Sequence, residues 1–525
     1  MLAHLFTVEG EILKTPSDYT WVYLAVVGLL SLRWVASHLL TKKSNVPLYN
    51  PKKWYELSNS RAKLQILFNL RETLDTWFAE HPEQPIRVLT DMGELTVVSP
   101  TMANTIKSDP RLSFSRANNP QFHHEVAGFD PFREAGKNSG RLAKTVIKKD
   151  LTKLLNKVTW PLAQEALLAF PHYLGTETEW RKIPLRATIL PLIGRLSSRV
   201  FVGEEQCRNE EWLGIISGYA ANSFMAADQL RIWPKPLRRL VSNFHSHSLR
   251  LRKQMSHAHG IIDPIREKRR VLKAEAASRG EKLHFEDAME WFDRESGGTH
   301  DEAALQVFLS LVAIHTTSDL VSQLMTDLSL HPEIIPDLKE EVVRVLGEEG
   351  WTKSALFKMR LLDSAIKESQ RLKPVIDPTM LRAPVEDYTL PDGTIILKDY
   401  IVAVSTHAMR DPAIYKDPET WDGYRFFRQR QQPGKDLSAQ LITTSPEHLG
   451  FGHGLHSCPG RFFAANEIKL AMVFMLLQYE WRLLPGAKPQ TMNWGNARNS
   501  DPSIEIEIRH TARINIDPKA GIVFV

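Results

Sequence analysis

Apolar and polar positions along the chain change character in blocks. Residues 19–40 (YTWVYLAVVGLLSLRWVASHLL) form an apolar run broken by a single charge, Arg33. About twenty mostly apolar residues are enough for one helix to span a membrane. Trp21, Tyr23 and Trp34 suit the two interfaces, and Arg33 can snorkel from the lower part of the helix. Glu9, Glu11 and Asp18 precede the run, while Lys42, Lys43, Lys52 and Lys53 follow it, so positive charge places the rest of the chain on the cytosolic side. A cleaved signal peptide, an interfacial helix and a buried core helix are the competing readings. No positive segment leads the run and no small-residue cleavage site follows it, which speaks against a signal peptide. The expected organisation is residues 1–18 across the membrane, an anchor over 19–40, a stiff hinge over 41–52 around Pro47 and Pro51, and one body over 53–525.

Beyond the hinge the periodicity switches between two and 3.6. Residues 86–98 (IRVLTDMGELTVV) read as two short strands around a Met-Gly turn. From about 140 to 370 the pattern is mainly helical, and Phe201-Val-Gly-Glu204 reads as a helix end. Residues 267–300 are charged and hold two glycine breaks, Arg279-Gly280 and Gly297-Gly298, which predicts a surface connection. Residues 301–330 predict a long apolar helix stopped by His331-Pro332. After 374 the chain reads as strands and loops, with Leu390-Pro-Asp-Gly393 as a turn and 504–508 (Ile-Glu-Ile-Glu-Ile) as a half-buried strand. The fold class expected is mainly α with a small β portion.

Composition narrows the function classes. The 525 residues are 43% hydrophobic and 24% charged, ordinary for a globular protein. A net charge of +5 is far below the dense basic clusters of a nucleic-acid binder, so no nucleic-acid partner is expected. Two cysteines, Cys207 and Cys458, exclude a disulfide framework. The His245/His247 and His257/His259 pairs have i, i+2 spacing, which on a helix does not bring side chains together. No His-Glu-x-x-His motif points to a zinc hydrolase, and Gly452-x-Gly454 lacks the third glycine and the strand–helix setting of a nucleotide loop.

The densest chemistry is Phe451-Gly-His-Gly-Leu-His-Ser-Cys458-Pro-Gly460. A proline is well placed at a first helical position, so Cys458 is expected at the mouth of a helix that begins with Pro459. The free N–H groups and positive end of such a helix lower a thiol's pKa and favour the thiolate, the form that binds metals. Gly452 and Gly454 allow backbone angles that side chains oppose. The plainer alternative for any lone cysteine is a buried structural residue.

The pattern F-G-x-G-x-[RH]-x-C-x-G resembles the haem-binding loop of the cytochrome P-450 monooxygenases. The resemblance implies a P-450 fold and haem b (iron protoporphyrin IX) as cofactor, with Cys458 as axial ligand of the iron and Phe451, Gly452 and Gly460 shaping the loop. A thiolate ligand favours O–O cleavage. His456 stands where the family more often has an arginine that reaches a haem propionate, which implies a weaker and more pH-dependent contact.

Three further segments carry the resemblance. Glu368 and Arg371 sit at i, i+3 in SALFKMRLLDSAIKESQRL, read as one helix. Arg425, in Trp421-Asp-Gly-Tyr-Arg425-Phe426, matches the arginine that locks the family's E-x-x-R pair. Arg382 matches a position that salt-links a haem propionate, against the alternative of an ordinary surface arginine. On the long helix, Val312-Ala-Ile-His315-Thr316-Thr317 resembles the oxygen-activation motif, with Val312 at its first position and His315 replacing an acid. The resemblance makes Thr316 the hydroxyl that helps deliver protons during oxygen activation. The alternative is the common back-bond from a mid-helix threonine to the carbonyl four residues earlier. His315 reads equally as a proton relay with near-neutral pKa and as a satisfied core residue.

The implied enzyme is a microsomal monooxygenase of fungal specialised-metabolism type, in the endoplasmic reticulum membrane with its catalytic domain facing the cytosol. It would oxidise a lipophilic small molecule, by analogy a terpenoid or meroterpenoid. With no flavin or nicotinamide fingerprint in the chain, electrons would come from NADPH-cytochrome P-450 reductase, with cytochrome b5 as a further candidate donor. Two rivals remain: a haem-thiolate isomerase or dehydratase needing no reductase, and a non-catalytic membrane-anchored haem protein.

Overall fold

The computed structural model describes residues 44–511 apart from 57, the backbone of 514–517 and 521–524, and positions 23–25, 27, 28 and 31. The expected anchor, 19–40, and the residues before it lie outside the described residues save for those few positions, which are helical and exposed.

The stretch read as a hinge is attached to the body from Val46 onward. Val46 is buried, and Tyr49 N–H donates to the Arg87 carbonyl at 2.8 Å. The buried Asn50 side chain donates to Ala62 O (2.9 Å) and Leu89 O (3.0 Å) and accepts from Leu89 N–H (2.8 Å). An amide that satisfies three backbone groups of two other elements is part of their packing.

Helix α1 (Ser60–Glu80) buries Ile66, Leu70, Leu74 and Phe78, a four-residue spacing that makes one apolar stripe. It packs on the hairpin β1 (Ile86–Thr90) and β2 (Gly93–Val98), whose turn is Asp91-Met92, one residue before the Met-Gly expected. With β3 (Leu112–Ser113), β5 (Thr379–Pro384) and β6 (Ile401–Val404) they form a sheet of order β1-β2-β6-β5-β3, in which β2 and β6 run parallel. A second sheet joins β4 (Arg181–Pro184) and β7 (Tyr479–Leu483) through β8 (Glu505–His510), where Ile506 and Ile508 face inward.

The helical part contains α2 (Asp130–Gly136), α3 (Leu155–Leu174), α4 (Leu185–Phe201), α5 (Glu210–Arg231), α6 (Ser246–Ser278) and α7 (Glu302–Leu330). Segment 267–300 is less of a loop than its charge suggested. α6 runs through its first part, and a helix over Ala288–Ser296 buries Met289, Trp291 and Phe292. α7 begins at Asp301, whose carboxylate accepts Ala304 N–H at 2.9 Å, and ends at His331 before Pro332. By length and composition α7 is apolar enough to cross a membrane, but 72% of its most apolar window is buried inside the body. A helix apolar on all sides belongs in a core.

The single helix expected over 354–372 is broken. Met359 leaves helical geometry at ψ 79°, separating Lys353–Lys358 from α8 (Arg360–Leu372). The Glu341 carboxylate explains the restart, accepting N–H bonds from Leu361 (2.8 Å) and Leu362 (3.0 Å), donors that a continuous helix would use internally.

Candidate active site

The Phe451–Gly460 loop closes on itself before helix α9 (Arg461–Gln478). Cys458 N–H donates to Phe451 O at 2.8 Å and Ser457 N–H to Gly454 O at 3.1 Å. Gly452 and Gly454 have φ of +65° and +78°, the left-handed region. A Cβ at Gly454 would also run into the side chain and carbonyl of Lys107. Phe451 packs against the main core.

The helix does not start at Pro459. Gly460 is its N-cap, and Pro459 lies just outside. Cys458 is half-buried, and burial pushes its thiol pKa up, while the Gly460 and Arg461 N–H groups and the Arg461 charge pull it down. The helix-mouth argument alone predicts a net lowering; desolvation outweighs it. Metal coordination deprotonates such a thiol outright. Cys207, by contrast, is fully buried and its pKa is pushed up to about 12 by burial.

Glu368, Arg371 and Arg425 meet in one cluster. Arg371 donates to Glu368 through Nε and Nη2, both at 2.8 Å, and through Nη1 to Met409 O at 2.6 Å. Arg425 Nε donates to Glu368 Oε1 at 3.0 Å and its Nη2 to Thr420 O at 3.1 Å. The Arg371 guanidinium lies over the Tyr415 ring. Glu368 and Arg371 are completely buried, so each charge depends on these partners.

On α7, Val312 and Thr316 stand out as exposed positions on a largely buried helix; Val312 is 39% exposed. They are one turn apart and share a face. The Thr316 hydroxyl donates to Val312 O at 3.0 Å, the back-bond expected of a mid-helix threonine. That bond commits the proton and leaves the oxygen lone pairs to accept. His315 points elsewhere: its neighbours are the Arg186 charge and the Ile216 backbone, and burial pushes its pKa down to about 4. The near-neutral titration expected of a relay is therefore absent, and its Nε2 is buried with no partner among the described residues.

Arg382 on β5 is 1% exposed, and only its Nη1 is bonded, to Leu381 O at 2.8 Å. Nε and Nη2 are buried without partners among the described residues, and desolvation lowers its pKa to about 10. Its guanidinium and the His456 ring share Phe114, with His456 stacked at 5.2 Å and Arg382 5.7 Å from the centroid. Burial and the charges of Arg382, Lys144 and Lys148 push the His456 pKa down to about 4. Three basic side chains around His456, with no acid among the charges that shift it, make a site for an anion. Sequence reading missed Phe114, Lys144 and Lys148. Nothing local in the chain marks them, since β3 and the helical turns after residue 141 bring them in from far away.

Farther along α9, Glu467 is fully buried, accepts from Ser197 Oγ at 2.7 Å, and leaves Oε2 unpartnered among the described residues. Burial raises its pKa to about 8.

A thiol in a glycine-hinged loop that also carries His456, whose ring shares Phe114 with a buried arginine bonded only through Nη1, fits a flat dianionic metal ring: sulfur for the metal, Arg382 for the carboxylates. Comparison with known proteins agrees. The family model described as Cytochrome P450 matches residues 203–505. This chain belongs to the cytochrome P450 family. It is 50% identical over 471 residues to cytochrome P450 monooxygenase TRI1 of Fusarium sporotrichioides, covering 90% of this chain and 86% of that protein. It is 42% identical to monooxygenase hepE of Aspergillus oryzae, covering 93% and 90%, and 39% identical to monooxygenase eqxH of Fusarium heterosporum, covering 97% and 99%. Among solved structures, a retinoic acid-bound cyanobacterial CYP120A1 superposes with a TM-score of 0.65 over 90% of this chain and 100% of the other, at 18% identity, which shows the shared P450 fold. This P450 is a monooxygenase, and its cofactor is haem iron.

Proposed function

We propose that this P450 is a membrane-anchored monooxygenase of fungal specialised metabolism, oxidising a lipophilic molecule of terpenoid or meroterpenoid type. In this reading residues 19–40 hold it in the endoplasmic reticulum membrane, with the catalytic body toward the cytosol. NADPH-cytochrome P-450 reductase, assisted by cytochrome b5, supplies the electrons. The observation that carries the site assignment is the contact of Arg382 and His456 on one ring, Phe114, with His456 only two residues before Cys458.

Haem iron, when bound, supplies the reductive activation of O₂. The chain's own residues then have separate tasks. Cys458 gives the sulfur ligand. Arg382, with Lys144 and Lys148 near it, neutralises the ring carboxylates, and His456 packs beside them on Phe114. Thr316, its proton held by Val312 O, accepts a hydrogen bond from a water on the exposed face and so positions a proton donor there. Glu368, Arg371 and Arg425 keep the framework of the haem pocket in place without touching substrate.

The test is expression beside an NADPH-dependent reductase in a host making candidate scaffolds, under ¹⁸O₂, with products read by mass spectrometry. The expected product carries one labelled oxygen and forms only with NADPH. Product made without NADPH and reductase would replace this reading with an isomerase or dehydratase.

A further inference from the structure

Gly450, one residue before the cysteine loop, is a glycine for a different reason from Gly452 and Gly454. Those two sit at positive φ, whereas Gly450 lies outside that region, so alanine adopts its backbone angles without strain. What excludes a side chain there is space. A Cβ at Gly450 would lie 2.3 Å from Oε1, 2.4 Å from Cδ and 2.7 Å from Cγ of Gln370. Carbon atoms in good contact are about 3.5 Å apart or more, so the two side chains cannot share this place.

Gln370 belongs to α8, between Ser369 and Arg371, and is 2% exposed. Both chain neighbours are tied down. Ser369 Oγ donates to Asp327 Oδ2 at 2.5 Å and accepts from Trp421 Nε1 at 3.0 Å, and Arg371 is locked to Glu368. The helix therefore cannot back away from Gly450. Gln370 Oε1 is buried without a partner among the described residues, so packing rather than a bond to that oxygen sets where the amide lies.

On the loop side, Gly450 stands between two carbonyls that shape the approach to the sulfur. Leu449 O accepts Gly452 N–H at 2.8 Å, and Phe451 O accepts Cys458 N–H at 2.8 Å. Leu449 is buried and fixed. A displacement of Gly450 is therefore passed on to Phe451, and through the Phe451 carbonyl to Cys458.

We propose that Gln370 is a positioning residue for the Cys458 sulfur: its side chain and the bare Cα of Gly450 form a size-matched contact that fixes the register of the cysteine loop. The contact couples α8, which carries Glu368 and Arg371, to the sulfur ligand. The inference rests on the reading of Cys458 as that ligand.

Absorption spectra of the reduced, CO-bound full-length protein test it, together with the rate of haem loss to a scavenger protein. The band position reports whether sulfur binds the iron as thiolate, which a contact that only supports the fold leaves alone. Gly450→Ala is expected to move about half or more of the red-shifted band to shorter wavelength at equal haem content, and to speed haem loss about tenfold or more. Adding Gln370→Ala to it makes room for the new methyl, so the double variant regains the red-shifted band and loses haem within about threefold of the wild-type rate. Gln370→Met, close in length and volume, keeps the wild-type band. Gly260→Ala on α6, where a Cβ would meet nothing within 4 Å, is the control and changes neither readout. If Gly450→Ala fails to fold, the double variant decides: recovery of folded, haem-bound protein supports the contact, and continued failure overturns it. An unshifted band in Gly450→Ala, or a shift that Gln370→Ala does not reverse, also overturns it. A wild-type CO complex without the red-shifted band is a separate failure, that of Cys458 as the ligand, and takes the inference with it.

Discussion

The two charged regions of this P450 are built on opposite rules. Around Glu368, every charge is answered: two arginines share one carboxylate, and their remaining N–H groups go to the carbonyls of Met409, Lys416, Asp417 and Thr420. Around Arg382, a buried guanidinium keeps two nitrogens unpartnered among the described residues, and the nearby groups that shift its neighbour His456 are all basic. The first region is complete in protein atoms; the second is completed by something else. Closed electrostatics mark scaffold, and open electrostatics mark a binding site.

The largest expected effect breaks the binding side at its centre. Cys458→Ala is expected to abolish the red-shifted CO band of the reduced protein and all turnover, while Cys207→Ala keeps both. Loss of the band in Cys207→Ala alone would reverse the assignment. Next, Glu368→Ala strands the buried Arg371 and takes the carboxylate from the half-buried Arg425, and is expected to cost about 3–5 kcal/mol, giving protein that is mostly haem-free and poorly folded. A haem-replete Glu368→Ala protein of wild-type Tm would erase the contrast between the two regions.

Glu467 sharpens the contrast, because it is a buried acid with a hydroxyl partner but no counter-charge. An unfolded glutamate ionises near 4.5, whereas in the fold Glu467 holds its proton to about 8. The unfolded chain therefore binds fewer protons between those values, and the stability this group contributes is full below the lower one and is lost as pH rises through the upper. The expected size is a few kcal/mol, since each tenfold gain in a group's affinity for its proton is worth about 1.4 kcal/mol. Tm should fall from about pH 5 to about pH 8. Glu467→Gln should flatten that slope; an unchanged slope would place the titration elsewhere.

Arg382→Ala removes an unpaired buried cation, so the fold should lose little and the cofactor much, with haem retention weakened by about tenfold or more. Haem-loss rate to a scavenger, compared with urea midpoint, separates the two. The smallest effect is at Thr316. Thr316→Ala should leave haem content, ligand affinity and NADPH consumption within a few-fold, while peroxide rises and product falls, because the water proposed to rest on its oxygen would lose its acceptor. Thr317→Ala is expected to do less, since adjacent helix residues point about 100° apart. The reverse order would shift the register of the helix by one.

Much of the scaffold was legible in the chain because it is written locally. The long apolar run over 301–330, the two short strand segments over 86–98, the alternation over 504–508, and the glycines at 452 and 454 each fix their own neighbourhood. The meeting of Glu368, Arg371 and Arg425 was legible only through the family resemblance, since 57 residues separate Glu368 from Arg425. What was not legible depends on distant partners. The break at Met359 comes from Glu341, the silent titration of His315 from burial and Arg186, and the basic setting of His456 from Lys144 and Lys148. The Cys458 thiol shows the same limit: the sequence speaks of the helix mouth beside it but not of how much water is excluded.

Asn50 has a practical consequence for anyone trimming this protein. A chain cut at residue 53, where sequence reading began the body, leaves Ala62 O, Leu89 O and Leu89 N–H without the side chain that joins them. At about 1 kcal/mol for each lost bond, the truncation gives up roughly 3 kcal/mol at the seam between α1 and β1. Soluble versions should therefore start at or before Val46, keeping the short tail that looks like linker and behaves as a rivet.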